Sequence, residues 1–309
     1  MRRRRQPARH QKENQAMFSI IGILVVIGAV LGGFLMEKGS LGVLIQPSEL
    51  LTIGGAAAGT LLLANPMHVL KGIGSGLVGA FAQTKFPRQR YLDTLKMLFD
   101  LFTKARKEGL VAIESDIEEA DQSPLFKRSP VFLQDHMARS FVCDTMRMAI
   151  TGGVSTFDVD QLMELDLEVH QHSAEEPTHA LMTVADALPG LGIVAAVLGI
   201  VVTMGALGGP PAEIGRKVAA ALVGTFLGIL LCYGFIGPLA SSMGKRNGEE
   251  HGFYQVLRVV MLSFIKGMSP ILAVEMGRRA IPAHVRPSFD EVEKACRAKA
   301  EDPVAAKTK

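Results

Sequence analysis

Cysteine is scarce: Cys143, Cys232 and Cys296 stand far apart with no CxxC pair. Such a set suggests neither a disulfide framework nor a zinc site, and Cys232, inside an apolar run, reads as a small buried hydrophobe. No glycine-rich stretch continues into Gly-Lys-Ser or Gly-Lys-Thr, so ATP hydrolysis has no visible home. Gly74, Gly76 and Gly79 match GxGxxG, but no strand precedes them, and the dinucleotide reading needs a βαβ setting. No Ser-His-Asp or Cys-His set is readable, so the chain is not expected to be an enzyme and needs no cofactor. His170, His172 and His179 lie near Glu175 and Glu176; a solvated polar segment ahead of Pro177 explains them more simply than a metal site. Strand-like alternation is missing as well, which leaves an all-α class. The formal net charge of +3 is too small to argue for nucleic acid.

What is present is long apolar sequence. The mean hydropathy of +0.26 and the 20% of charged residues lean toward a membrane protein. Four runs, over 17–36, 50–70, 187–212 and 218–244, are almost free of charge. A bilayer core about 30 Å thick needs roughly 20 helical residues, so each run is long enough to span it. A fifth stretch, 253–274, is interrupted by Arg258 and Lys266. It is expected to be an amphipathic helix on the membrane surface or in the cytoplasm. The first run exceeds the apolar core of a signal peptide and lacks an Ala-x-Ala cleavage site. It is therefore read as a retained helix, with 1–16 a basic extension or an alternative start.

Charge placement gives the orientation. Arg2, Arg3, Arg4, Arg5, Arg9 and Lys12 precede the first run, and most other lysines and arginines lie between runs two and three or after run four. The positive-inside rule then puts both termini and the middle segment in the cytoplasm. Lys38, Arg216 and Lys217 are the few basic residues left for the outer side. The expected organisation is an extension over 1–16, two spans over 17–66, a cytoplasmic helical domain over 67–186, two spans over 187–244 and a cytoplasmic helix and tail over 245–309.

Within the middle segment Leu92, Leu95, Phe99 and Phe102 form a helical stripe. Gly109 interrupts it, and Leu110, Ile113 and Ile117 continue on a second short helix among Glu108, Glu114, Asp116, Glu118, Glu119 and Asp121. Pro124 and Pro130 read as loop markers. GxxxG pairs at Gly28/Gly32, Gly55/Gly59, Gly205/Gly209 and Gly224/Gly228 favour close helix packing and an oligomer.

The most informative absence concerns carboxylates. Ion-driven machines need an ionisable group within the membrane. None of the four runs holds an Asp, Glu, Lys or Arg in its interior, and Glu49 and Asp186 sit at the edges. If the chain conducts ions, a partner is expected to supply the carrier. The runs offer Thr203, Thr225 and Tyr233, which either line a wet path or bond back to their own helices. Pro189 and Pro238 either loosen their helices or hold static kinks.

Residues 188–199, beginning Leu188-Pro189-Gly190-Leu191-Gly192, resemble the third membrane helix of the MotA family of flagellar stator proteins, within the MotA/TolQ/ExbB proton-channel superfamily. Val223-Gly224-Thr225-Phe226-Leu227-Gly228 and Tyr233-Gly234-Phe235-Ile236-Gly237-Pro238 resemble the fourth. Gly39-Ser40-Leu41-Gly42, Gln46-Pro47-Ser48-Glu49-Leu50, Val274-Glu275-Met276-Gly277-Arg278-Arg279 and Arg286-Pro287-Ser288-Phe289 match too. The resemblance implies an inner-membrane homo-oligomeric ring, a pentamer by family likeness, around a MotB-like single-span subunit that carries the ion-binding Asp and grips peptidoglycan. It implies ion flow, of H+ by the length of the cytoplasmic segment, that drives torque on the rotor protein FliG. By spacing alone Arg106 and Glu114 read as a solvated face; the resemblance makes them the rotor contacts. It makes Pro189 and Pro238 the conformational prolines and Thr225 a hydroxyl on the ion path. An ExbB- or TolQ-like energiser of outer-membrane work is the alternative, and the four runs count against it.

Overall fold

In the computed structural model, residues 14–205 and 207–297 are described, and all their regular structure is helical. In chain order the helices are α1 (Asn14–Met36), α2 (Leu41–Leu44), α3 (Pro47–Ala64), α4 (Met67–Ala80), α5 (Arg88–Glu108), α6 (Glu114–Glu118), α7 (Pro124–Lys127), α8 (Pro130–Gln134), α9 (His136–Thr151), α10 (Thr156–Met204), α11 (Pro211–Ile229), α12 (Gly237–Ile265), α13 (Pro270–Ala280) and α14 (Phe289–Arg297). A 3-10 turn covers Leu110–Ile113, and a π-helical segment covers Leu230–Ile236. Four stretches are long and apolar enough to cross a membrane: Met17–Met36, Leu41–Ala64, and windows within Thr156–Met204 and Pro211–Ile265. Apart from the start of α1, the basic extension over 1–16 lies outside the described residues.

The chain forms two compact units: residues 1–84 with 172–247, and residues 85–171 with 248–309. The first unit has a core of small and medium side chains, among them Ile53, Ala57, Ala185, Leu188, Ala195 and Cys232, with Val69, Ile73, Leu181, Ala240 and Met243 nearby. The second run does not continue to residue 70 as one helix. α3 ends at Ala64 and α4 begins at Met67, because Pro66 biases Asn65 out of the α region and supplies no donor. The GxGxxG stretch lies within α4, where Gly76 packs closely but a β-carbon at Gly74 would meet nothing within 4 Å. A methyl on Gly72 would fall 2.5 Å from the Pro177 ring, and Gly76 abuts Met243. Arg246 closes the end of α4 by donating to the carbonyls of Ala82 and Gln83 at 2.7 and 3.2 Å.

The second unit has a larger-grained core. Phe102 stacks on Phe264 at 4.1 Å, and Leu95, Leu98, Leu101, Phe126, Phe132, Leu257 and Met261 are buried beside them. The inner face of α5 carries Tyr91, Leu95, Leu98, Phe102 and Ala105, whereas Leu92 and Phe99 from the sequence stripe are only half-buried. Pro124 and Pro130 do not mark a bare loop. Each begins a short helix at its first position, where the missing N–H would have had no intrahelical partner anyway. The stretch 253–274 is not one helix: it covers the end of α12, a turn over 266–269 and the start of α13, with Phe253, Tyr254, Leu257, Val260 and Met261 buried and Met268 and Leu272 exposed. Arg258 emerges from it to meet Asp160 at 2.6 Å and Glu164 at 3.2 Å. Gly277 lets α13 lie against Val260, whose methyl occupies the place of a missing β-carbon.

Candidate functional site

Two places gather the chemistry. The first is the charged end of α5. The helix stops at Gly109, whose positive φ of 93° needs no side chain and whose N–H reaches the Ala105 carbonyl at 3.0 Å. Ile113 in the 3-10 turn is fully buried and pins the chain as it reverses. Lys104 pairs with Asp116 at 2.7 Å, and the other oxygen of Asp116 accepts the Ser123 hydroxyl at 2.5 Å. Glu118 accepts Arg147 at 2.7 Å, and Asp121 accepts Arg139 at the same distance. The Arg147 hydrogen bonds hold the Glu118 carboxyl below its usual range. Arg106, in the last turn of α5, and Glu114, in the first turn of α6, are exposed and take part in no ion pair among the described residues. Glu114 is well placed at a helix N-terminus and Arg106 at a C-terminus, so both charges are compatible with their helices without any partner. Val111 stands between them with 70% of its surface exposed. Sequence reasoning singled out the two charges; it could not tell that Lys104, Asp116, Glu118 and Asp121 are paired, whereas Lys107, Glu108 and Glu119 are exposed and, like Arg106 and Glu114, take part in no ion pair among the described residues.

The second place is the junction of α3, α10 and α11. Here α10 and α11 meet backbone to backbone. A methyl on Gly192 would fall 2.8 Å from the Gly224 carbonyl oxygen, and one on Gly228 would fall 2.5 Å from the Leu188 carbonyl oxygen. A methyl on Gly199 would fall 2.7 Å from the Ala221 β-carbon and 3.1 Å from its α-carbon. The Gly224/Gly228 pair is therefore spent inside the chain. By contrast, β-carbons added at Gly28, Gly32, Gly55 and Gly59 would meet nothing within 4 Å.

The polar residues of the runs sit at different points on this frame. Thr203 is fully buried, and its hydroxyl donates to the Gly199 carbonyl at 2.7 Å, the local back-bond open to threonine in a helix. Thr225 is half-buried, its α-carbon 3.3 Å from the position of a Gly192 methyl. Pro189 lies one turn before Gly192 inside continuous α10, where its missing N–H deprives the Ala185 carbonyl of its helical donor. Tyr233 is 72% exposed, and Pro238 is exposed as well. Pro238 is not a simple kink. The π-helical segment directly precedes it, and the Gly237 N–H bonds to the Cys232 carbonyl five residues back. This wider turn displaces the backbone that the proline ring would strike. No periodicity in the sequence announced it.

Sequence reasoning also put Glu49 at the edge of a run. The structure places it in the first turn of α3 with its carboxyl turned inward, 7% exposed, against Gly199 and Gly224. The signal that could have found it is the pair of glycines on the facing helices, which leave room for one long side chain. The histidine segment, in turn, gathers no metal site among the described residues. His172 and His179 stand one turn from Glu176 and Glu175 along exposed stretches of α10.

A sequence profile described as the motility protein A N-terminal region matches residues 20–109, and one for the MotA/TolQ/ExbB proton channel family matches residues 133–252. Motility protein A of Escherichia coli (strain K12) is 42% identical over 282 residues, which cover 91% of this chain and 96% of that one. In overall fold the chain is similar to C. jejuni MotAB, with a TM-score of 0.72 at 18% identity, covering 88% of this chain and 99% of that one. It is also similar to the flagellar MotAB stator complex of Bacillus subtilis, with a TM-score of 0.68 at 23% identity, covering 86% and 96%.

Proposed function

This chain belongs to the MotA/TolQ/ExbB proton channel family, in its motility protein A branch, and from that premise we propose how it works as a stator subunit of the flagellar motor. It sits in the inner membrane with four spans, over 17–66 and 187–244. Both termini and the segments 67–186 and 245–309 lie in the cytoplasm. Copies form a ring, a pentamer, around a MotB-like single-span subunit anchored to peptidoglycan. The open glycines of α1 and α3, on helices whose other side chains are largely exposed and apolar, support contacts beyond the single chain. The transported ion is H+, carried by the partner's membrane carboxylate past Thr225 and Thr203, with Tyr233 on the exposed side of the same hairpin.

Protonation of the partner's carboxylate removes the cost of a bare charge in a low-dielectric site, and release restores it. That alternation favours one helix arrangement and then the other. The helices able to respond are those with weakened ladders, α10 at Pro189 and α12 at Pro238 after its π-helical segment. The movement is delivered to FliG through Arg106 and Glu114. The observation that carries this reading is that Arg106 and Glu114 stay in solvent without an ion pair among the described residues, beside exposed Lys107, Glu108 and Glu119, so that this end of α5 presents free charges of both signs. Double reversal, Arg106→Glu with Glu114→Lys, is expected to abolish swimming while the complex still assembles on native mass measurement. A matching reversal on the rotor should restore motion. Wild-type swimming by the double variant would remove these residues from the rotor contact.

A further inference from the structure

One buried ionisable group in the membrane unit is unused by the account above. Glu49 reaches from the first turn of α3 into the groove between α10 and α11. A methyl on Gly224 would lie 2.6 Å from its Oε2, and one on Gly199 would lie 3.6 Å from its Oε1. The two oxygens thus occupy the space that side chains at those glycines would have filled. Oε2 is shut off from solvent and has no hydrogen-bond partner among the described residues.

The surroundings hold no counter-charge. On α11 the ionisable groups are Glu213, Arg216 and Lys217, and Lys217 is engaged with Glu213 at 3.4 Å, one turn before Ala221. On the membrane part of α10 the nearest is Asp186, some 20 Å from Gly199 along the axis at about 1.5 Å per residue. α2 carries none, and neither does the apolar stretch of α1. The backbone N–H groups around Gly199 and Gly224 lie inside helices and are committed to their own ladders. The Thr203 hydroxyl already gives its proton to Gly199. A bare carboxylate here would have neither a cation nor a donor, which an apolar interior strongly disfavours. A protonated carboxyl, in contrast, brings its own O–H and asks only for an acceptor. A metal cation would require several oxygen ligands converging on one point, and the glycines and alanines around Glu49 supply none from side chains.

We propose that the Glu49 carboxyl is a proton-binding site of this chain, a station on the ion path between the α10–α11 loop and Thr225, additional to the partner's carboxylate. Its place on a path rests on the channel reading above; its ability to take and give up a proton does not. The step is a proton transfer alone. A carboxylate oxygen takes H+ from hydronium at the mouth of the groove, forming an O–H bond and leaving water, and later that O–H bond breaks as the proton passes to water or to the partner's carboxylate.

The test uses two measurements. The first is infrared titration of the full chain, reconstituted as its own oligomer in vesicles without the partner. We expect a protonated-carboxyl carbonyl band that gains and loses intensity with pH, disappears in Glu49→Gln and shifts in Glu49→Asp. A band that persists in Glu49→Gln, or one that never responds to pH, overturns the proposal. The second is proton flux through the assembled complex with the partner, reconstituted in vesicles. Glu49→Gln should slow flux by about a hundredfold, the low end of what a positioned proton-transfer group contributes. Glu49→Asp should recover part of it, and native mass measurement should show both variants assembled. Undiminished flux in an assembled Glu49→Gln complex overturns the place on the path. A wild-type complex that titrates at Glu49 yet conducts nothing would instead refute the channel reading and leave the proton site standing.

Discussion

The two units treat charge in opposite ways. In the unit of residues 85–171 and 248–309, a buried ionisable group comes with its partners. Arg90 lies in an ion pair with Asp135 and over the rings of Phe86 and Phe253, while Asp135 also accepts the Tyr254 hydroxyl at 3.1 Å. Half-buried Glu275 is likewise gripped by Arg278 and Arg279. In the unit of residues 1–84 and 172–247, the spans hold almost no charge, helices touch through glycine, and the buried carboxyl of Glu49 faces no cation. A paired charge contributes to one fixed structure, because its loss leaves a stranded partner. An unpaired one contributes little to stability and is free to change state. The contrast therefore separates side chains that hold the protein together from those that work, and it can be broken experimentally.

The largest expected effect is in the paired unit. Arg90→Met strands Asp135 and should cost about 3–5 kcal/mol, read as a lower unfolding midpoint by circular dichroism in denaturant. Next come the glycine contacts. Gly192→Val places methyls within the facing backbone of α11, and Gly224→Val drives them into the Glu49 carboxyl and the Ala196 backbone; each should cost about 1–3 kcal/mol, seen as reduced yield of assembled complex. Glu275 gives a pH signature. Hydrogen bonds from Arg278, then those from Arg279, hold its carboxyl down at about 2 against an ordinary 4.5. Because the folded value is depressed, the stabilisation is fully present above about 4.5 and is lost as pH falls toward about 2. Glu275→Gln should flatten that part of the acid unfolding profile. The smallest effect belongs to Glu49→Gln, which should move the unfolding midpoint by less than about 1 kcal/mol, since it leaves no partner stranded. A loss as large as that of Arg90→Met would mean that Glu49 is a structural group and would collapse the contrast.

The legible parts of this molecule were those written in local pattern. The charge-free runs gave the membrane-length helices, and Gly109 gave the end of α5. The stripe on α5 was legible only in part, because its core face is set by Phe264 and Val260 from a distant helix. Pairings across long separations, such as Arg258 with Asp160, have no periodic signature. Neither does the π-helical segment, which depends on how the backbone accommodates Pro238. Arg106, Glu114, Pro189, Pro238 and Thr225 were named through a family resemblance, and periodicity alone would not have chosen them. Glu49 was legible as a residue at the edge of the second run, where the first turn of α3 holds it, but its inward turn was not, because that depends on Gly199 and Gly224, which only folding brings beside it.

In the mechanism proposed above, proton movement at the α10–α11 hairpin drives rotation through helices softened at Pro189 and Pro238. The most direct test of this mechanism measures proton flux and motor rotation on the same variants, Pro189→Ala and Pro238→Ala, with flux read in the assembled partner complex reconstituted in vesicles. The account predicts that both variants are expressed and bind the partner, yet produce sharply reduced torque, whereas Thr225→Val slows flux without that uncoupling. Normal rotation in both proline variants would contradict it and reduce the two prolines to features of shape.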